Sequence, residues 1–148
     1  LKLDPDYEAA WAYLGMVYTR MQRFQEAAAA YDHAASFSSF NASYLAAAAY
    51  ARAKGGDTSE ARKLYQVLMQ RTARREWFPA QAMAMTEAAL GDKAATLEWL
   101  RRAVQDNSVT VFELNHEPFS SEMKGQPGFA SLLADAARGH SDSIAAVQ

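Results

Sequence analysis

Cysteine is absent from the 148 residues, which excludes a disulfide scaffold, a cysteine-based zinc site and a cysteine nucleophile. β-Branched residues are scarce: six Val, one Ile and six Thr are too few for a sheet of ordinary size. No long hydrophobic run occurs either. The longest, Tyr44 to Ala51, falls far short of the roughly 18 residues that span a bilayer, so no membrane insertion is expected in this segment. Charge of one sign is also lacking, since 15 Lys and Arg against 17 Asp and Glu leave a formal net charge of −2. Near-neutrality argues against nucleic acid as a partner, because non-specific affinity for it is mostly electrostatic. What is abundant is alanine, with 32 residues. This composition predicts helices packed closely through small side chains. At roughly 100 to 200 residues per domain, the length predicts one unit, able to bury about two thirds of its unfolded-chain surface. The absence of cysteine is compatible with both cytoplasm and periplasm.

The apolar residues recur with a long period. Trp11, Leu14, Gly15 and Tyr18 fall at i, i+3, i+4 and i+7, one helical stripe, and Phe24, Ala27, Tyr31 and Ala34 form a second. Two amphipathic helices joined at Met21 to Arg23 are predicted. A shift of 34 residues places Leu45, Ala48, Ala49 and Arg52 beneath the first stripe, and Thr58, Ala61, Tyr65 and Leu68 beneath the second. Gly55-Gly56 marks the turn, with Asp57 as N-cap and Glu60 as its capping-box partner. A further shift of 35 aligns Ala80, Met83, Ala84 and Glu87, the turn Gly91-Asp92, and then Leu97, Leu100 and Ala103. Three helical hairpins follow.

The run Trp11-x2-Leu14-Gly15-x2-Tyr18, with Phe24, Ala27, Tyr31 and Ala34 behind it, resembles the tetratricopeptide repeat, 34 residues of helix, turn and helix. The first repeat, residues 8–41, matches best. The second, residues 42–76, has Leu45 in place of Trp and Ala49 in place of Gly. The third, residues 77–105, has Thr96 where the family usually has Ala. The resemblance implies an all-α fold, a right-handed superhelical solenoid of helix-turn-helix repeats. In the family a proline commonly stands three residues before the next repeat, and Pro5 stands three before Glu8. Residues 1–7 then read as the stub of a preceding repeat, and Leu1 without an initiator Met or signal-peptide pattern fits a piece of a longer chain. Asp4-Pro5 equally suits an N-cap with proline at N1.

The tail carries Pro118, Met123, Lys124, Pro127, Phe129, Leu132 and Leu133. Their spacing resembles the carboxyl-terminal end of many bacterial tetratricopeptide proteins linked to winged-helix regulators, protein kinases or cyclases, although Phe119 comes one residue early. A solenoid must cover the apolar face of its last repeat. Residues 106–140 are therefore expected to form a cap with a helix from about Pro127 to Arg138, ended by Gly139, and residues 141–148 a frayed tail.

Reactive chemistry is sparse. Glu113 and His116 form one Glu-x-x-His pair, but a carboxylate-bridged di-iron site needs two such pairs and further glutamates. His33 and His140 have no evident partner in sequence. No Gly-rich phosphate loop, nucleophile elbow or set of spaced metal ligands occurs, so neither catalysis, cofactor nor metal is expected. Arg71, Arg74, Arg75, Arg101 and Arg102 form the only basic concentration. Those near the end of the second repeat suit a helix dipole. Asn41-Ala42-Ser43 matches a glycosylation sequon but reads better as a helix N-cap.

The resemblance implies that the first helix of each repeat lines a concave groove. Its groove positions correspond to Ala9, Ala12, Met16, Thr19 and Arg20, then Ser43, Ala46, Tyr50, Ala53 and Lys54, then Phe78, Gln81, Met85, Ala88 and Ala89. Small residues leave room for a ligand backbone, Met16, Tyr50, Phe78 and Met85 offer adaptable apolar contacts, and Arg20 and Lys54 suit an acidic group. The same alanines and methionines are equally explained by tight helix packing. Chaperone-tail binders of the family carry Lys and Asn where this chain has Ala12 and Met16, which argues against that role. The expected function is non-enzymatic: a scaffold binding a peptide or partner domain, or a regulatory module acting on a kinase, cyclase or DNA-binding domain of its own chain. Self-association through the amino-terminal end is expected if a neighbouring repeat is missing there.

Overall fold

The computed structural model describes residues 7–73, 80–106, 114–115, 121 and 123–145. Every regular element of defined extent among them is a helix: α1 (Glu8–Arg20), α2 (Phe24–Phe37), α3 (Ala42–Lys54), α4 (Thr58–Ala73), α5 (Ala80–Leu90), α6 (Lys93–Gln105) and α7 (Phe129–Ala145). None among the described residues is long and apolar enough to cross a membrane. The chain divides into two compact units, Leu1–Phe78 and Pro79–Gln148, where length alone predicts one. Helical hairpins pack mainly on their nearest neighbours, so no central core obliges a single unit.

In the first unit α1 packs on α2, α2 on α3 and α3 on α4. The connecting turns have only three or four residues, which makes consecutive helices antiparallel and α1 parallel to α3. The 34-residue register holds in the burial pattern. Gly15, Ala27, Tyr31 and Ala34 are buried in the first hairpin, and Leu45, Ala48, Ala49, Ala61 and Leu68 in the second. Ala27, Ala28, Tyr31, Ala48 and Ala51 form a core cluster, flanked by Tyr18, Ala47 and Leu64. Close approach is written into one residue. A Cβ added to Gly15 would lie 2.7 Å from Cε1 of Tyr31, so the Tyr31 ring lies directly on the α1 backbone.

The turns repeat as well. Gln22, Gly56 and Gly91 occupy equivalent positions, and all three have positive φ, 58°, 89° and 82°. Glycine adopts that conformation at no steric cost, and Gln22 adopts it without that advantage. The caps follow their local chemistry. Asn41 Oδ1 accepts from the Ser43 N–H at 2.9 Å, Asp57 Oδ1 from the Glu60 N–H at 3.2 Å, and Asp92 Oδ1 from the Ala95 N–H at 3.0 Å. The expected capping box at Asp57 is only half formed. The Glu60 carboxylate turns instead to Lys63, an i, i+3 partner on the same exposed face.

In the second unit α5 packs on α6, and α6 on α7. Ala80, Met83, Ala84 and Glu87 are buried on α5, and Leu97, Leu100 and Ala103 on α6, the stripes expected of a third hairpin. Thr96 stands fully buried where alanine was expected, and its hydroxyl donates to the Asp92 carbonyl at 2.7 Å. That bond satisfies the polar group the substitution introduces. Leu114 and Met123 of the tail are fully buried, as are most of Phe129, Leu132 and Ala136 of α7. Just before α7, Gly128 has φ +85°, and a Cβ there would meet Arg101 Nη2 at 3.1 Å and Leu97 Cδ2 at 3.3 Å. The cap helix departs from expectation at its far end: it runs through Gly139 to Ala145, across residues read from sequence as a frayed tail. A glycine inside a helix costs only about 1 kcal/mol relative to alanine, and it ends one only where the chain turns left-handed. Residues 1–6, Pro118, Phe119 and residues 146–148 lie outside the described residues.

Candidate functional site

The first hairpin and the start of the second supply the candidate site. Ala9, Ala12, Tyr13 and Met16 of α1 recur at helical spacing along one side. Together with Tyr31 of α2 and Tyr44 of α3 they line an open pocket of about 260 Å³. Parallel helices place α1 and α3 side by side. The alanines keep the floor low, and the three tyrosines and Met16 form the walls. Tyr31 is the most deeply seated, held against Gly15. Burial pushes its phenol above the ordinary tyrosine value, and a hydrogen bond with Thr19 pulls the other way. Thr19 itself donates to the Gly15 carbonyl at 2.8 Å. Tyr44 is raised too, by burial first and then by the negative potential of Glu8, Tyr13 and Tyr7.

Most of the residues assigned from sequence to a groove fall into three groups. Ala9, Ala12 and Met16 line the pocket. Met16 is 45% exposed, so core packing does not account for it. Arg20 and Lys54 are exposed in the last turns of α1 and α3, and Tyr50, Gln81 and Met85 are half-buried. Ala46, Ala53 and Ala88 are buried at 1%, 7% and 5% exposure; for these, tight helix packing is the explanation, and they offer a ligand almost no surface. Phe78 lies outside the described residues. Gln81 and Met85 belong to the second compact unit and are not part of the α1–α3 pocket. Sequence reasoning missed Tyr13 and Tyr44. The available signal for Tyr13 was its position four residues beyond Ala9 on an exposed face, and for Tyr44 its place beside Ser43 at the start of α3.

The remaining candidates resolve into local structure. His33 stacks on Trp11, ring centroids 4.5 Å apart at 22°, a partner its sequence neighbours do not suggest. Arg71 Nη1, on α4, donates to the Phe40 carbonyl in the α2–α3 turn. Arg101 pairs with Glu98 at 3.4 Å, and Arg102 lies over the Trp99 ring at 5.4 Å. These basic groups thus serve turns and helix surfaces. Arg74, Arg75, Glu113 and His116 lie outside the described residues. A second cleft of about 350 Å³ between α2 and α3 contains Gln25, Asp32, Arg52 and Asp57. There Arg52, which takes the place of Tyr18 in the repeat register, forks onto Asp32 with distances of 3.1 and 2.5 Å. That pair holds the guanidinium protonated and joins two helices.

No family model, curated protein or solved structure matches this chain.

Proposed function

We propose that this chain is a non-enzymatic binding module built of tetratricopeptide-like hairpins in a solenoid, which holds a peptide in extended form along the surface shared by α1 and α3. The observation that carries this reading is the pocket walled by Tyr13, Tyr31, Tyr44 and Met16 over a floor of Ala9 and Ala12. Three of its six residues are groove positions implied by the resemblance. Small floor residues admit a backbone, while rigid aromatic walls give contact area at low entropic cost. Affinity then comes from shape complementarity and a few anchors, with no bond made or broken.

Selection from a random peptide library on the full chain tests the proposal. Selected peptides should shift the NMR signals of Ala12, Met16 and Tyr44, and should lose at least ten-fold in affinity to the Met16→Ala variant. Binders that shift residues elsewhere and are indifferent to Met16→Ala would overturn it.

A further inference from the structure

The α1–α3 pocket has an electrostatic character beyond its apolar walls. Tyr13, Tyr31 and Tyr44 bring three aromatic rings to one opening of about 260 Å³, and the face of each ring carries a negative quadrupole. Glu8, the first residue of α1, stands one helical turn before Ala12 and so lies at the edge of the pocket. Its charge reaches Tyr44, where it reinforces the effect of burial on the phenol. Among the described residues Glu8 forms no ion pair. The basic residues assigned to the groove, Arg20 and Lys54, sit at the opposite ends of α1 and α3. An apolar floor, aromatic rings and a carboxylate with no ion pair among the described residues form a surface complementary to a cation on an alkyl stem.

We infer that the pocket receives a lysine or arginine side chain of the bound peptide, with its stem against Ala9, Ala12 and Met16 and its charged head between the tyrosine rings and Glu8. The inference rests on the peptide-groove reading above and adds the sign of the charge that anchors the peptide. It also gives the site a polarity, with a basic residue of the ligand at the amino-terminal end of α1, away from Arg20.

NMR titration of the full chain with four probes tests it: the pentapeptide Ala-Ala-Lys-Ala-Ala, its norleucine and glutamate counterparts, and tetramethylammonium chloride. The lysine peptide should move the ring signals of Tyr13 and Tyr44 and the Met16 methyl, and bind at least ten-fold tighter than the norleucine peptide. That ratio should fall towards one in Glu8→Gln, a conservative change on an accessible first turn, with norleucine affinity unchanged. It should fall also in Tyr44→Leu. Tetramethylammonium should bind at least ten-fold more weakly than the lysine peptide; equal binding would identify a small free organic cation as the ligand and overturn the assignment to a peptide side chain. Norleucine or glutamate peptides binding the same pocket as tightly as lysine would overturn the cationic inference and leave the groove reading standing. Failure of every peptide to shift any groove residue would overturn both.

Discussion

Gly15 shows how much one missing carbon decides. In an isolated helix, replacing glycine with alanine gains about 1 kcal/mol. Here the new Cβ would sit 2.7–2.9 Å from three atoms of the Tyr31 ring, and that ring, 7% exposed, can yield only by giving up packing and moving into the pocket it lines. Gly15→Ala is therefore expected to destabilise the chain by about 1–3 kcal/mol, read as a lower urea midpoint at unchanged slope. A gain in stability would mean that the ring can shift at little cost. Ala49 occupies the equivalent place in the second hairpin, fully buried, so the clash belongs to the first hairpin and not to the repeat as such. Gln22 makes the opposite point. It holds φ +58° where its counterparts Gly56 and Gly91 hold 89° and 82°. Relief of a left-handed conformation worth about 1–2 kcal/mol outweighs the greater freedom glycine gives the unfolded chain, about 0.4–1 kcal/mol. Gln22→Gly should thus raise stability by roughly 0.5–1 kcal/mol in the same denaturation experiment, and a fall would show that the Gln22 side chain makes a compensating contact.

At the scale of elements, α7 works as a cover for α6. Its buried face, Phe129, Leu132 and Ala136, follows the helical period, and Gly128 lets the chain enter against Leu97 and Arg101. Removing all residues after Asn115 should uncover the apolar face of α6 and cause aggregation or a marked drop in melting temperature. Leu132→Ala, a smaller lesion at a site 3% exposed, should cost about 2–5 kcal/mol. A truncated chain that melted like the parent would show the cover to be dispensable. The length of α7 was not legible in the sequence. Gly139 carries a stop signal whose effect depends on whether the chain finds a left-handed turn there, and the helix continues instead.

For the whole molecule, the unequal treatment of equivalent helix faces matters most. Ala51 on α3 and Gly55 just after it are met by α2, with Ala51 fully buried and the Gly55 Cβ position 3.1 Å from Phe24 Cβ. The same register in the first hairpin is Val17 on α1 and Met21 just after it; with Tyr13, four residues before Val17, they are 50%, 57% and 65% exposed. Larger apolar residues stand where no described element covers them. Because hairpin arrays are stabilised by nearest-neighbour interfaces, this face is expected to drive self-association. Light scattering should show a mass that rises with concentration in the parent chain and stays monomeric in the Val17→Lys, Met21→Lys double variant. A parent that remained monomeric throughout would remove this face from consideration as an association surface.

The chain's local chemistry, readable from the amino acids alone, determined where helices begin, which faces they bury and where they turn. Periodicity, N-caps at Asn41, Asp57 and Asp92, and glycines at Gly56 and Gly91 act within a few residues of themselves, so the 34-residue register carried through to the buried stripes. Tertiary structure alone decided the division into two units, the stacking of His33 on Trp11, the pairing of Arg52 with Asp32, and the different fates of similar alanines. Ala9 and Ala12 line an open pocket while Ala46 is sealed in a helix contact. An alanine looks the same in sequence in both settings. Which one it occupies depends on how closely two helices approach, and that distance is set by the combined volumes of side chains on both, such as the absent Cβ of Gly15 beneath the Tyr31 ring. The convergence of Tyr13, Tyr31 and Tyr44 from three helices is a consequence of the same packing.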